Sequence, residues 1–200
     1  MKYIPVLMVL AFALSLCNLT GKKSGLSSSN TATGGETVDK PQPTAAQTQA
    51  LAGGPTVNWE QQGITWTLPK GWNKITVENL QFNYGAPGNG AFLIGSISPM
   101  AEDFPMEVSL KAFYEQAATR KKIGEVDEFH YLELDGVKGV EFREANPEHP
   151  DGIRRLQWMA YRKHAGQKQL VNLILSSSGK NFPAHEDELY GILYSTKLDH

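Results

Sequence analysis

The stretch "RRLQWMAYRKHAGQKQLVNLILSSS", residues 154–178, decides the fold. Leu156, Trp158 and Ala160 alternate with polar neighbours, and Val171, Leu173 and Leu175 alternate beyond Ala165-Gly166. A period of two places alternate side chains on one face of a strand, and a short turn-forming pair between two such runs predicts a hairpin. Just upstream, "FHYLELDGVKGVEFRE", residues 129–144, repeats the arrangement around Asp135-Gly136, a strong short-range hairpin signal. Two hairpins in succession predict a mainly antiparallel sheet.

The flanks follow the same logic. "GITWTLPKGW" alternates Ile64, Trp66 and Leu68 against Thr65 and Thr67, a half-buried strand ended by Pro69 and Gly71. "NLQFNYGAPGNGAFLIGSIS" predicts two strands about a turn at Pro87–Gly90, with Leu80, Phe82 and Tyr84 alternating before it. The period changes in "SLKAFYEQAATRKKIG", where Leu110, Phe113, Ala117 and Ala118 recur at helical spacing. Ser109 is placed to cap the start of that helix and Gly124 to close its end. Arg120, Lys121 and Lys122 there oppose the negative end of the helix dipole. "NFPAHEDELYGILYSTKL" predicts a closing helix, with Pro183 in its first turn, Glu186, Asp187 and Glu188 toward its positive end, and a buried stripe of Leu189, Ile192, Leu193 and Thr196. The expected class is α+β, a mainly antiparallel β-sheet flanked by two or more α-helices.

An opening strand ending in "LPKGW", a helix "SLKAFYEQ", the "LDGVKGVEF" hairpin, the long hairpin of residues 154–175 and a closing helix together resemble the PsbP-like superfamily, which includes PsbP and DcrB-like lipoproteins. The resemblance covers nearly all of the chain after residue 56. It implies an α/β/α sandwich and a non-enzymatic assembly, scaffold or binding role, and it carries over no functional residues. A photosystem role does not follow, because fold does not determine function.

The amino-terminal region answers a different question. Lys2 and the apolar run Ile4–Leu16 have the form of a signal peptide over residues 1–16, too short for the roughly 20 apolar residues of a membrane span. The run closes on Cys17, the single cysteine of the chain. Leu14-Ser15-Leu16-Cys17 resembles a lipoprotein cleavage site, although Leu16 is bulkier than the residue usual before the cysteine. Cys17 is the expected lipid attachment point, and cleavage before Asn18 without a lipid is the alternative. Residues 17–56 carry no aromatic side chain and are rich in Ser, Thr, Gly, Ala, Pro and Gln. That composition predicts a disordered tether ahead of a folded domain at 57–200, where all four tryptophans lie.

Composition narrows the function classes. A formal charge of −2 offers no basic footprint, so nucleic acid is not an expected partner. One cysteine makes no internal disulfide, leaving a packed core to supply stability. The five histidines show no metal-ligand spacing such as HExxH. The most suggestive loop is "NPEHPDG", residues 146–152, where Glu148, His149 and Asp151 offer oxygens and an imidazole to a divalent cation. "HEDE" at 185–188 is better explained as a helix start. Gly95-Ser96 lacks the nucleophile-elbow pattern, Gly179-Lys180 lacks a phosphate loop's first glycine, and Gly85, Gly88 and Gly90 suit a hairpin rather than a dinucleotide site. The tryptophans are expected in the core rather than in a binding groove. No catalytic residue, cofactor site or metal site is assigned. The expectation is an exported, membrane-anchored, non-catalytic binding or assembly module of the cell envelope, with another envelope protein as a possible partner. A small-ligand or cation-binding protein is the alternative, followed by an enzyme with scattered site residues.

Overall fold

The computed structural model describes residues 37–199. The predicted signal peptide, Cys17 and the tether as far as residue 36 lie outside the described residues.

The two predicted hairpins form the middle of an eight-stranded sheet. β7 (Val126–Leu134) turns into β8 (Val137–Glu144) through Asp135-Gly136, and β9 (Ile153–His164) into β10 (Gln167–Ser178) through Ala165-Gly166. All four turn residues have positive φ, between 46° and 87°, as a two-residue turn matched to strand twist requires. In the β9–β10 ladder Leu156 faces Leu175, Trp158 faces Leu173 and Ala160 faces Val171, so the alternation read from sequence is the inward register.

Toward one edge, β10 pairs with β6 (Ala91–Pro99), then β5 (Gln81–Gly85) and β4 (Asn73–Val77). At the other edge β7 takes a short parallel partner, β1 (Val38–Asp39). A separate three-stranded sheet joins β2 (Thr56–Trp59), β3 (Ile64–Thr67) and β11 (Lys197–Leu198).

Helix α2 (Met106–Lys122) packs on β7, β8 and β9, over a cluster holding Leu110, Ala117, Tyr131, Val140 and Phe142. Strand neighbours of those residues point the other way. Leu132, Trp158 and Leu173 join Trp59, Trp66 and Phe82 in the larger core, beneath α3 (Phe182–Tyr194) and the small sheet. Trp59, Trp66 and Trp158 are fully buried and Trp72 nearly so, so they are core side chains. With both faces covered, the molecule is the expected mainly antiparallel α+β sandwich.

Two expectations are corrected. Helix α2 begins one turn before Ser109, with Pro105 at the N-cap position and Glu107 in the first turn. The fixed φ of proline and an acidic residue near the dipole's positive end explain the earlier start. Residues 37–56 are also not structureless. β1 lies among them, and α1 (Ala45–Ala50) is closed by a capping box in which Gln47 N–H donates to Thr44 Oγ1 at 3.1 Å and Thr44 N–H to Gln47 Oε1 at 3.0 Å. Two local hydrogen bonds and a docking partner in α3 offset an ordering cost that composition alone left unmet.

Candidate functional site

The residues singled out in sequence do not converge. In the 146–152 loop, Gly152 N–H donates to the His149 carbonyl at 2.8 Å and Lys180 N–H to the Pro150 carbonyl at 2.8 Å. Lys180 Nζ lies 2.5 Å from Asp151 Oδ1, so the best oxygen ligand of the loop already holds a cation. His185 Nδ1 is 2.9 Å from Glu188 Oε2 within the first turns of α3, a local pair on the helix. No group of three or more His, Cys, Asp or Glu is placed to hold a metal among the described residues.

Polar chemistry gathers instead around Glu141 of β8, between side chains of β7 and side chains reaching over from α3. Glu141, 1% exposed, projects from β8 onto the α3 face. Its Oε1 is 3.8 Å from His130 Nε2 on β7, and its Oε2 has no hydrogen-bond partner among the described residues. Burial pushes the Glu141 carboxyl up to about 8, with Glu128 and Asp39 raising it further and Arg143 opposing them. The carboxyl is therefore largely neutral at pH 7. Arg143 leaves the same face to bridge Glu128 at 3.3 Å and Glu186 of α3 at 2.7 Å. Tyr190 and Tyr194 descend from α3, and burial, followed by the nearby Glu141 charge, raises both phenols above their ordinary value.

A second polar feature lies at the opposite end of the strands. The β8–β9 ladder runs from Arg143 opposite Leu156 to Gly139 opposite Ala160 and stops there, although both strands continue to their hairpin turns. The hairpins thus part, and a cleft of about 380 Å³ opens between Val137–Lys138, Tyr161–Lys163 and the first turns of α2. Arg162 lines it while 95% buried, counted from its 5% exposure. Its Nη2 donates to the Gln62 carbonyl. With the Gln169 carboxamide turned oxygen-first, that oxygen accepts from Nε at 3.0 Å and from Nη2 at 3.1 Å. Nη1 has no partner among the described residues. Burial lowers this guanidinium to about 10, with Asp199 opposing the effect.

Sequence reading missed both features. In "GVEFRE" the alternation marks Val140 and Phe142 as buried, which assigns Glu141 to the other face. Only the presence of α3 on that face makes the position interior. The parting of the hairpins has no local sequence signal, because nothing in either turn reports how far the neighbouring ladder extends.

The described residues form a mainly antiparallel α+β sandwich, which is the fold that the resemblance read from sequence implies. Among solved structures, LpqN of Mycobacterium tuberculosis, described as involved in cell envelope biogenesis, aligns over 74% of this chain and 86% of its own at 12% identity and a TM-score of 0.52. Cyanobacterial PsbP from Synechocystis sp. PCC 6803 aligns over 72% of this chain and 92% of its own, at 13% identity and a TM-score of 0.47. The Ran-binding protein Mog1p of Saccharomyces cerevisiae aligns over 72% and 95%, at 10% identity and a TM-score of 0.42. No family model matches the chain, and no curated protein sequence does. The likeness is one of fold.

Proposed function

We propose that the protein is an exported, non-catalytic binding or assembly module of the cell envelope, held at a membrane by a lipid on Cys17. One conjunction carries the reading: a leader that closes on the single cysteine precedes a domain whose fold is shared with LpqN, a protein described as involved in envelope biogenesis. In this reading the sandwich presents a recognition surface to another envelope protein. The test is the intact mass of the mature protein from its native host, with cross-linking and recovery of partners from native membranes. A diacylglyceryl or triacylglyceryl Cys17 at the new amino terminus is the expected result. An unmodified chain beginning at Asn18 overturns the anchor, and repeated recovery of no cross-linked envelope protein overturns the assembly role.

A further inference from the structure

We propose that residues 37–54 form a strap gated by Glu141, closed while that carboxyl carries its proton and released when the proton leaves. Glu141 lies on β8 between the ladders to β7 and β9, and its Oε2 has no hydrogen-bond partner among the described residues. A neutral acid tolerates that position. A carboxylate there is a buried charge short of donors, which is costly unless a cation or water reaches it. The surrounding elements do not supply the cation. β7 presents Glu128, a like charge, and His130, whose Nε2 at 3.8 Å from Oε1 is beyond hydrogen-bond reach. Arg143 of β8 is engaged by Glu128 at 3.3 Å and by Glu186 of α3 at 2.7 Å. α3 adds Tyr190 and Tyr194, β1 adds Asp39, and β9 sets the uncharged Trp158 opposite Glu141 in the ladder.

Relief therefore comes from water, through whichever element yields most cheaply. β8 is held by continuous ladders, and α3 buries Phe182, Leu189, Ile192 and Leu193 in the larger core. Residues 37–54 are held more lightly. β1 pairs only two residues with β7, Lys40 meets Glu133 at 3.1 Å in a largely exposed pair, and α1 has no buried residue. Segments with few buried contacts open locally at low cost. This segment also borders the cluster at two points. Asp39 acts on the Glu141 carboxyl, and Tyr194, which feels the Glu141 charge, lines a groove of about 250 Å³ with Pro43, Gln47, Thr48 and Leu51. Lifting β1 and α1 takes Asp39 away and widens that groove to water. The Glu141 carboxyl then titrates near its ordinary 4.5 instead of about 8. Between those values each unit of pH rise favours the open strap by up to about tenfold, and above pH 8 the gain stops.

The test is amide hydrogen exchange of the full chain from pH 5 to 9, expressed as protection factors corrected for the intrinsic rate. The amides of β1 and α1 are expected to be less protected than those of β9 and β10 at every pH, which marks a local opening. Their protection is expected to fall by up to about tenfold per pH unit as far as pH 8 and then to level off. Glu141→Gln keeps every neighbour, His130 included, and is expected to make strap protection independent of pH. Protection in the parent that stays flat overturns the proposal, and so does a dependence that persists in Glu141→Gln. Strap protection equal to that of β9 and β10 also overturns it, because the segment then leaves only with the whole domain.

Discussion

At the scale of single residues, Glu141 is the group whose environment departs furthest from water. Around it stand His130 and Glu128 on β7, Arg143 on β8, Asp39 on β1, and Glu186, Tyr190 and Tyr194 on α3. Its carboxyl titrates near 8 in the folded protein against an ordinary value of 4.5. Between those two values the folded state holds a proton that the unfolded state has released. Stability therefore falls as pH rises through that window, at a slope of up to about 1.4 kcal/mol per pH unit. Below pH 4.5 the effect vanishes, because both states are protonated. Glu141→Gln keeps the shape and removes the proton. The difference in unfolding free energy between the parent and this variant, followed by urea melts from pH 5 to 9, is expected to grow in favour of the variant up to about pH 8 and then level off. A difference that stays flat with pH refutes the buried-acid reading.

At the scale of elements, the contact between α1 and α3 turns on Gly191. Glycine inside a helix costs about 1 kcal/mol relative to alanine. Here a Cβ would sit 2.9 Å from the Gln47 carbonyl oxygen and 3.2 Å from Leu51 Cγ, so the missing side chain is what lets α1 approach. The sign of Gly191→Ala therefore depends on whether α1 is present. In a chain of residues 55–200 the substitution is expected to stabilise by about 0.5–1 kcal/mol, and in residues 37–200 to be neutral or destabilising. Equal effects in the two backgrounds, measured by chemical denaturation, refute the close packing. This contact also marks the limit of what the sequence reveals. The hairpins at Asp135-Gly136 and Ala165-Gly166, the closing helix and its Leu189–Leu193 stripe were legible because period and turn chemistry are local. Helix α1 was not, since "TAAQTQA" carries no apolar stripe and its capping box, Thr44 to Gln47, sits in a polar stretch. Neither candidate site was legible, because Glu141 becomes interior through α3, some 40 residues later, and Arg162 borders a cleft only because a neighbouring ladder stops.

At the scale of the whole molecule, the folded unit begins earlier than its composition indicates. β1 lies along β7, with Val38 opposite Tyr131 and Asp39 opposite Leu132, and so covers part of the outer edge of β7. The far edge, β4, is short, carries Lys74 and has an irregular register beside it, which are features that discourage strand addition. The β7 edge depends more on its neighbour. A chain of residues 55–200 keeps β2 and the Leu68 N–H bond to the Pro55 carbonyl, at 3.0 Å, but loses β1, α1 and the packing of Leu51 against the large core. If that loss amounts to about 2 kcal/mol, the melting temperature drops by roughly 4–8 °C relative to residues 37–200. The uncovered β7 backbone is also expected to recruit a second chain, so association should rise with concentration in sedimentation experiments. Matching melting temperatures and monomeric behaviour for both chains would return residues 37–54 to the tether. A lower melting temperature without association would leave their packing intact as a source of stability while removing edge protection as their role.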